Sequence, residues 1–137
     1  MRLRLRIVLT FALLGLSVPL LGEPARIAPG STVKLSATAY CLDGTTSSGM
    51  PTRHGIVAAD PVVLAVGSVI RITDPGASYA GIYTVLDTGS AVKGRRIDIF
   101  MGDCARAGRF GRRLVHVHVL RQGWDPRAST TSSSSPQ

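Results

Sequence analysis

The sequence has almost no glutamate. Glu23 is the only one in 137 residues, and the other carboxylates are seven aspartates: Asp43, Asp60, Asp74, Asp87, Asp98, Asp103 and Asp125. Any general acid in the folded part is therefore an aspartate. Aromatic residues are scarce too, at 5%, with a single tryptophan, Trp124. That leaves little surface for stacking bases and argues against nucleic acid as a partner. The two cysteines, Cys41 and Cys104, are isolated from each other and from the three histidines, a poor start for a metal motif. Beyond residue 21 no apolar run approaches the roughly 20 residues that a membrane helix needs.

The one long apolar run stands at the start. Met1 to Arg6 alternates arginine with apolar residues, and Ile7 to Leu21 is almost wholly apolar. A basic start followed by such a core reads as a secretory signal over 1–22, cut after Gly22, with an uncleaved anchor as the alternative. Without Arg2, Arg4 and Arg6 the chain keeps 13 Lys+Arg against 8 Asp+Glu, a surplus of 5 in place of +8. That surplus favours anionic partners such as cell-wall polymers. The expected location is secreted or periplasmic, as a monomer with no stable membrane association once the signal is removed. In an oxidising compartment an even cysteine pair suggests one disulfide, Cys41 to Cys104; two unrelated thiols are the alternative.

Residues 23–31 carry two prolines and Gly30 and read as a linker. Apolar alternation or short β-branched runs then predict strands over 32–40, 56–59, 68–73, 81–86, 96–100 and 114–120. In the last of these Val115, Val117 and Val119 share one face, with Leu114, His116, His118 and Leu120 on the other. Residues 42–55, rich in Gly, Ser and Thr, predict a surface loop. Asp74-Pro75-Gly76 predicts a turn, and 103–109 one or two helical turns capped by Gly102 or Asp103. Six short strands with one small helix point to an all-β domain over 32–122, a small barrel whose closure removes exposed edges. The Ser/Thr-rich tail, 123–137, has the composition of a disordered segment.

One segment is far more specific. Asp87-Thr88-Gly89-Ser90-Ala91-Val92-Lys93-Gly94-Arg95-Arg96-Ile97-Asp98-Ile99-Phe100 resembles the signature of the three-aspartate (3D) domain, close to D-T-G-G-A-I-K-G-x-x-I-D-[VI]-F. The resemblance extends upstream through Gly67-Ser68 and Gly55-Ile56-Val57-Ala58-Ala59-Asp60-Pro61 to Thr38-Ala39-Tyr40. Downstream it runs through Gly108 to Arg113 into the final strand. It implies a six-stranded double-psi β-barrel, the fold of membrane-bound lytic transglycosylases and stationary-phase muralytic proteins. It also implies Asp98 as the catalytic acid, with Asp87 and Asp60 shaping and polarising the site. Ser90 and Val66 depart from the family pattern, which favours glycine and proline there.

Chemistry read from the residues agrees. A lytic transglycosylase needs one carboxyl that holds its proton near neutral pH. It protonates the glycosidic oxygen and then, as carboxylate, takes the proton of the muramyl 6-hydroxyl, giving a 1,6-anhydro end without water. Neighbouring carboxylates and partial burial both favour the protonated form, and Asp98 interrupts an apolar run where a semi-buried carboxyl is expected. The substrate would be peptidoglycan glycan strands, cut between MurNAc and GlcNAc, and no cofactor is required. Thr88, Lys93, Arg95 and Ser48 are candidates for substrate binding, though each also fits a turn or a solvated face. The rival reading is a non-catalytic, expansin-like wall-binding module of the same fold. A metal site on His54, His116 and His118 is a weaker rival.

Overall fold

The computed structural model describes residues 25–75 and 77–124. The expected signal, Gly76 of the expected turn and most of the expected tail lie outside them. The elements are β1 (Thr32–Tyr40), β2 (Ile56–Ala59), β3 (Val69–Ile72), β4 (Gly81–Asp87), β5 (Arg96–Phe100), α1 (Cys104–Phe110) and β6 (Arg113–Arg121). Every expected strand is present, with ends displaced by a residue at most.

The strands close into a barrel in the order β1-β5-β2-β4-β3-β6. β1 runs parallel to β5 and β2 parallel to β4, on either side of the antiparallel β2–β5 pair. The β1–β2 connection therefore passes over β5, and the β4–β5 connection passes over β2. Two interlocked crossings of this kind make the double-psi arrangement expected from the sequence.

Alternation decides the core. Leu35, Ala37, Val57, Ala59, Ile70, Ile72, Val85, Ile97, Ile99, Val115, Val117 and Val119 are all buried inside the barrel. Burying each larger aliphatic chain contributes about 1.5–3 kcal/mol, set against the entropy of ordering the backbone. β-Branched residues dominate because they pack well on a pleated surface. Their strand neighbours Lys34, Thr38, Asp98, His116 and His118 are left on the outside.

α1 begins where Asp103 accepts a hydrogen bond from the Arg106 amide, 3.0 Å away, and buries Ala107 and Phe110. A disulfide joins Cys104, its first residue, to Cys41 just past β1, across a sequence separation of 63. On the loop-closure account a bridge of that span stabilises by about 4 kcal/mol. Within the span expected to be a linker, Ile27 is buried and its amide donates to the Val63 carbonyl at 3.1 Å. The Gly30 amide likewise reaches the Val119 carbonyl at 2.8 Å. Two prolines and a glycine mark an irregular path, but the apolar residue between them docks on the barrel. At the other end the Gly123 amide donates to Ser68 Oγ at 2.8 Å, and Trp124 is exposed.

Candidate active site

Strand register places four residues in one row across the outside of the barrel. Thr38 on β1 faces Asp98 on β5, Asp98 faces Ala58 on β2, and Ala58 faces Asp87 on β4. Ile97 and Ile99 point into the core, so Asp98 between them points out and is half-buried. Asp87 needs a special device to join it. Val85 is fully buried, and a strict period of two would turn Asp87 inward as well. Instead the β2–β4 register shifts: Val57 pairs with Val85 and Ala58 with Asp87, leaving Leu86 as an extra residue. Such a bulge re-aims the side chain that follows it. Asp87 and Asp98 therefore flank Ala58 on the outer face, their backbones two strand spacings or about 10 Å apart.

The carboxylates are held differently. Asp98 Oδ1 accepts a hydrogen bond from the Thr38 hydroxyl at 2.8 Å, and no described residue bonds Oδ2. Burial pushes the Asp98 pKa above the ordinary carboxylate value; the Thr38 bond pulls it down, and the negative charge of Asp87 pushes it up. On balance Asp98 holds its proton to higher pH than an ordinary aspartate. Asp87 Oδ1 accepts from the backbone amides of Ser47 and Thr88, each at 2.9 Å. The Ser48 amide also reaches the Leu86 carbonyl at 3.3 Å, and Ser48 Oγ lies 2.9 Å from the hydroxyl of buried Thr46. These bonds stand the 41–55 loop beside the row as a wall.

Tyr40, two residues past Thr38 on the same face of β1, packs edge-on against Phe100 with centroids 5.3 Å apart. Its hydroxyl is buried and has no hydrogen-bond partner among the described residues. Burial, then the charges of Asp87 and Asp98, push its pKa up to about 12, so the phenol stays a donor.

Asp60 has a different setting. It is 7% exposed, and both of its oxygens are engaged. Oδ1 accepts from the Val62 amide at 3.0 Å and Oδ2 from the Gly94 amide at 2.7 Å. Gly94 has φ 64, a conformation that favours glycine. Asp60 thus anchors the β4–β5 connection, which carries the exposed Lys93 and Arg95, while Arg95 Nη2 donates to the Lys34 carbonyl at 3.2 Å. Thr88 and Ser48 flank Asp87. The three histidines are apart: His116 Nδ1 lies 2.8 Å from Asp74, His118 Nδ1 2.9 Å from the Thr32 hydroxyl, and His54 meets Phe100 edge-on. Among the described residues no three His, Cys, Asp or Glu side chains converge as a metal site would require.

Two clefts, of about 620 and 250 Å³, lie elsewhere, and neither is lined by Asp87 or Asp98. The aspartate pair lies on the outer face of the barrel, outside both. Thr38, Tyr40 and Ser47 stand beside it and were not among the candidate site residues. Thr38-Ala39-Tyr40 stood out in the sequence only as part of a resemblance, and the Ser47 contact is made by a backbone amide, which leaves no mark on residue identity.

A closed double-psi barrel with an outward-facing aspartate pair is the class of molecule these observations define. Residues 55–121 match the family model of the 3D domain. Among relatives from Bacillus subtilis (strain 168), YabE, which carries the name of a cell wall shaping protein, is 31% identical over 66% of this chain and 23% of its own. The cell wall-binding protein YocH is 32% identical over 63% of this chain and 31% of its own. The chain thus spans under a third of the length of either relative. MltA from E. coli, a solved structure, is 24% identical with a TM-score of 0.47, covering 58% of this chain and 28% of MltA. That likeness is too loose to assign chemistry.

Proposed function

We propose that this protein acts on peptidoglycan in the cell envelope, as a lytic transglycosylase in which Asp98 is acid and then base. The observation that carries the reading is the setting of Asp98: half-buried, with its pKa raised by that burial, Oδ1 on Thr38 and Oδ2 uncommitted. A proton on Oδ2 passes to the glycosidic oxygen as the bond from the muramyl C1 breaks. The resulting carboxylate then takes the proton of the muramyl 6-hydroxyl as that oxygen closes on C1, and Asp98 returns to its starting state. The Thr38 hydroxyl supports the ionised intermediate state, and Asp87 restores the bias towards protonation. Asp60 acts at one remove, by fixing the connection that carries Lys93 and Arg95.

A location outside the cytoplasm is supported by the Cys41–Cys104 disulfide, since such bonds persist in oxidising compartments. The names of YabE and YocH also point to the wall. The name of YocH favours one second reading, a wall-binding module without catalysis.

Digestion of purified sacculi separates the two. Anhydro-muramyl ends released by the wild type, and a fall of about 10²–10⁴ in their release with Asp98→Asn, are the expected results. Reducing ends would indicate a hydrolase, and co-sedimentation without release a binder. Undiminished cleavage by Asp98→Asn would remove the acid assignment.

A further inference from the structure

A second concave face carries three arginines. The segment between β3 and β4, the end of β5 and α1 enclose the cleft of about 620 Å³, lined by Arg106, Arg109 and Arg113 together with Tyr79, Phe110 and Asp74. Two guanidinium planes are held in place. Arg106 Nη2 donates to the Ser78 carbonyl and hydroxyl, each at 3.1 Å. Arg113 lies 4.2 Å from the centroid of Phe110 and 5.4 Å from that of Tyr79, and donates through Nε and Nη2 to the Phe110 carbonyl. Arg109, in the last turn of α1, is exposed and makes no side-chain hydrogen bond among the described residues. The one carboxylate in the lining, Asp74, is already paired with His116 at 2.8 Å.

A guanidinium has five N–H donors in a fixed fork that matches an oxyanion. Three of them stand against Asp74, already partnered, and exposed Asp103, whose charge reaches Arg106 and Arg109, which still leaves a surplus of donors and one net positive charge. Clefts of this volume take ligands the size of a sugar or a short peptide. The cleft also leads back towards the acid. The smaller cavity of about 250 Å³ shares Ser78, Tyr79, Met101 and Arg106 with it and ends at His54 and Phe100. Phe100 lies on the outer face of β5 two residues past Asp98, and packs on Tyr40.

We infer that the arginine cleft binds an oxyanion carried on a wall polymer whose glycan passes over Asp98 on the barrel's outer face. The source is either the carboxylate of a peptide stem or the phosphodiester of an anionic polymer. The identity of the polymer rests on the function proposed above; binding of an oxyanion by the cleft does not.

Amide and arginine-Nε NMR titrations of the full chain test this with three probes. They are muramyl dipeptide, its amide with the carboxylate removed, and sn-glycerol 3-phosphate. At least one anionic probe should shift residues 77–79 and 106–113, more weakly as salt rises. Arg109→Gln should weaken that binding about tenfold, and Arg106→Gln combined with it should weaken it further. Response to muramyl dipeptide alone assigns the peptide stem, and response to glycerol phosphate alone assigns the phosphodiester. Equal shifts from the neutral amide, shifts confined to other residues, or indifference to Arg109→Gln would overturn the inference. Repeating the titration on Asp98→Asn separates the two proposals, because anion binding should persist there whatever becomes of cleavage.

Discussion

Asp60 and Asp98 stand on neighbouring paths of the same barrel and are held in opposite ways. Asp60 is almost wholly buried and both of its oxygens accept from backbone amides. Asp98 is half-buried, with one oxygen on a threonine hydroxyl and the other open. A carboxylate saturated with amide donors is a structural tie, whose charge is already stabilised where it sits. A carboxyl that burial disfavours as an anion, and that keeps an oxygen uncommitted, is equipped to exchange a proton. The difference lies in the partners, not in the residue type.

That contrast can be broken by experiment. The largest stability effect should come from Asp60→Ala, which orphans the Val62 and Gly94 amides and should cost about 3 kcal/mol in denaturant unfolding. Asp98→Asn should behave oppositely. Because the folded-state pKa of Asp98 is raised, its contribution to stability is fully present below the unfolded carboxylate pKa. It is lost as pH rises through the folded value. The asparagine variant should therefore be as stable as the wild type or more so at neutral pH, with a flatter dependence of stability on pH. Equal destabilisation by the two substitutions would erase the distinction between tie and acid.

Thr38→Val sharpens the picture further. It removes the one hydrogen bond that favours ionised Asp98, so its pKa should rise again. Cleavage that needs the protonated form should then persist to higher pH. An alkaline limb that stays in place, or moves to lower pH, would mean that another group sets it. The smallest effect on stability is expected from Tyr40→Phe. Removing a buried hydroxyl without a partner should leave stability unchanged or raise it by up to about 1 kcal/mol. A clear loss would reveal a partner for the phenol. If the phenol contacts the sugar, glycan cleavage should fall while stability holds.

Much of this was readable from residue order. Strict alternation in 114–120 puts its valines in the core and its histidines outside, as the barrel has them. The block from Asp87 to Phe100 carried the fold, because its family resemblance brings the crossings that local pattern cannot supply. Other features depend on tertiary structure. Asp60-Pro61 reads as a turn, and nothing in the sequence says that Gly94 closes over it. The guanidinium groups of Arg106, Arg109 and Arg113 gather only because α1 turns back beside the β3–β4 connection. The Thr38 bond to Asp98 needs the parallel register of β1 with β5. Nor does period-two reading reveal a residue that the ladder skips, and it assigns Asp87 to the wrong side of β4.

That skipped residue has a consequence for how the molecule can change. The 41–55 and 88–95 connections can lengthen or shorten, since loop closure depends only weakly on length. The stretch from Val85 to Asp87 has a different constraint, because two residues at even separation face opposite sides only while the ladder skips Leu86. Straightening this strand at its present length would turn the Asp87 carboxylate into the barrel's interior, whereas deleting Leu86 would remove the bulge and leave that carboxylate outside on a regular ladder. The acidic face is thus held by one irregular step, and a one-residue shortening there should be tolerated better than a change that regularises the strand.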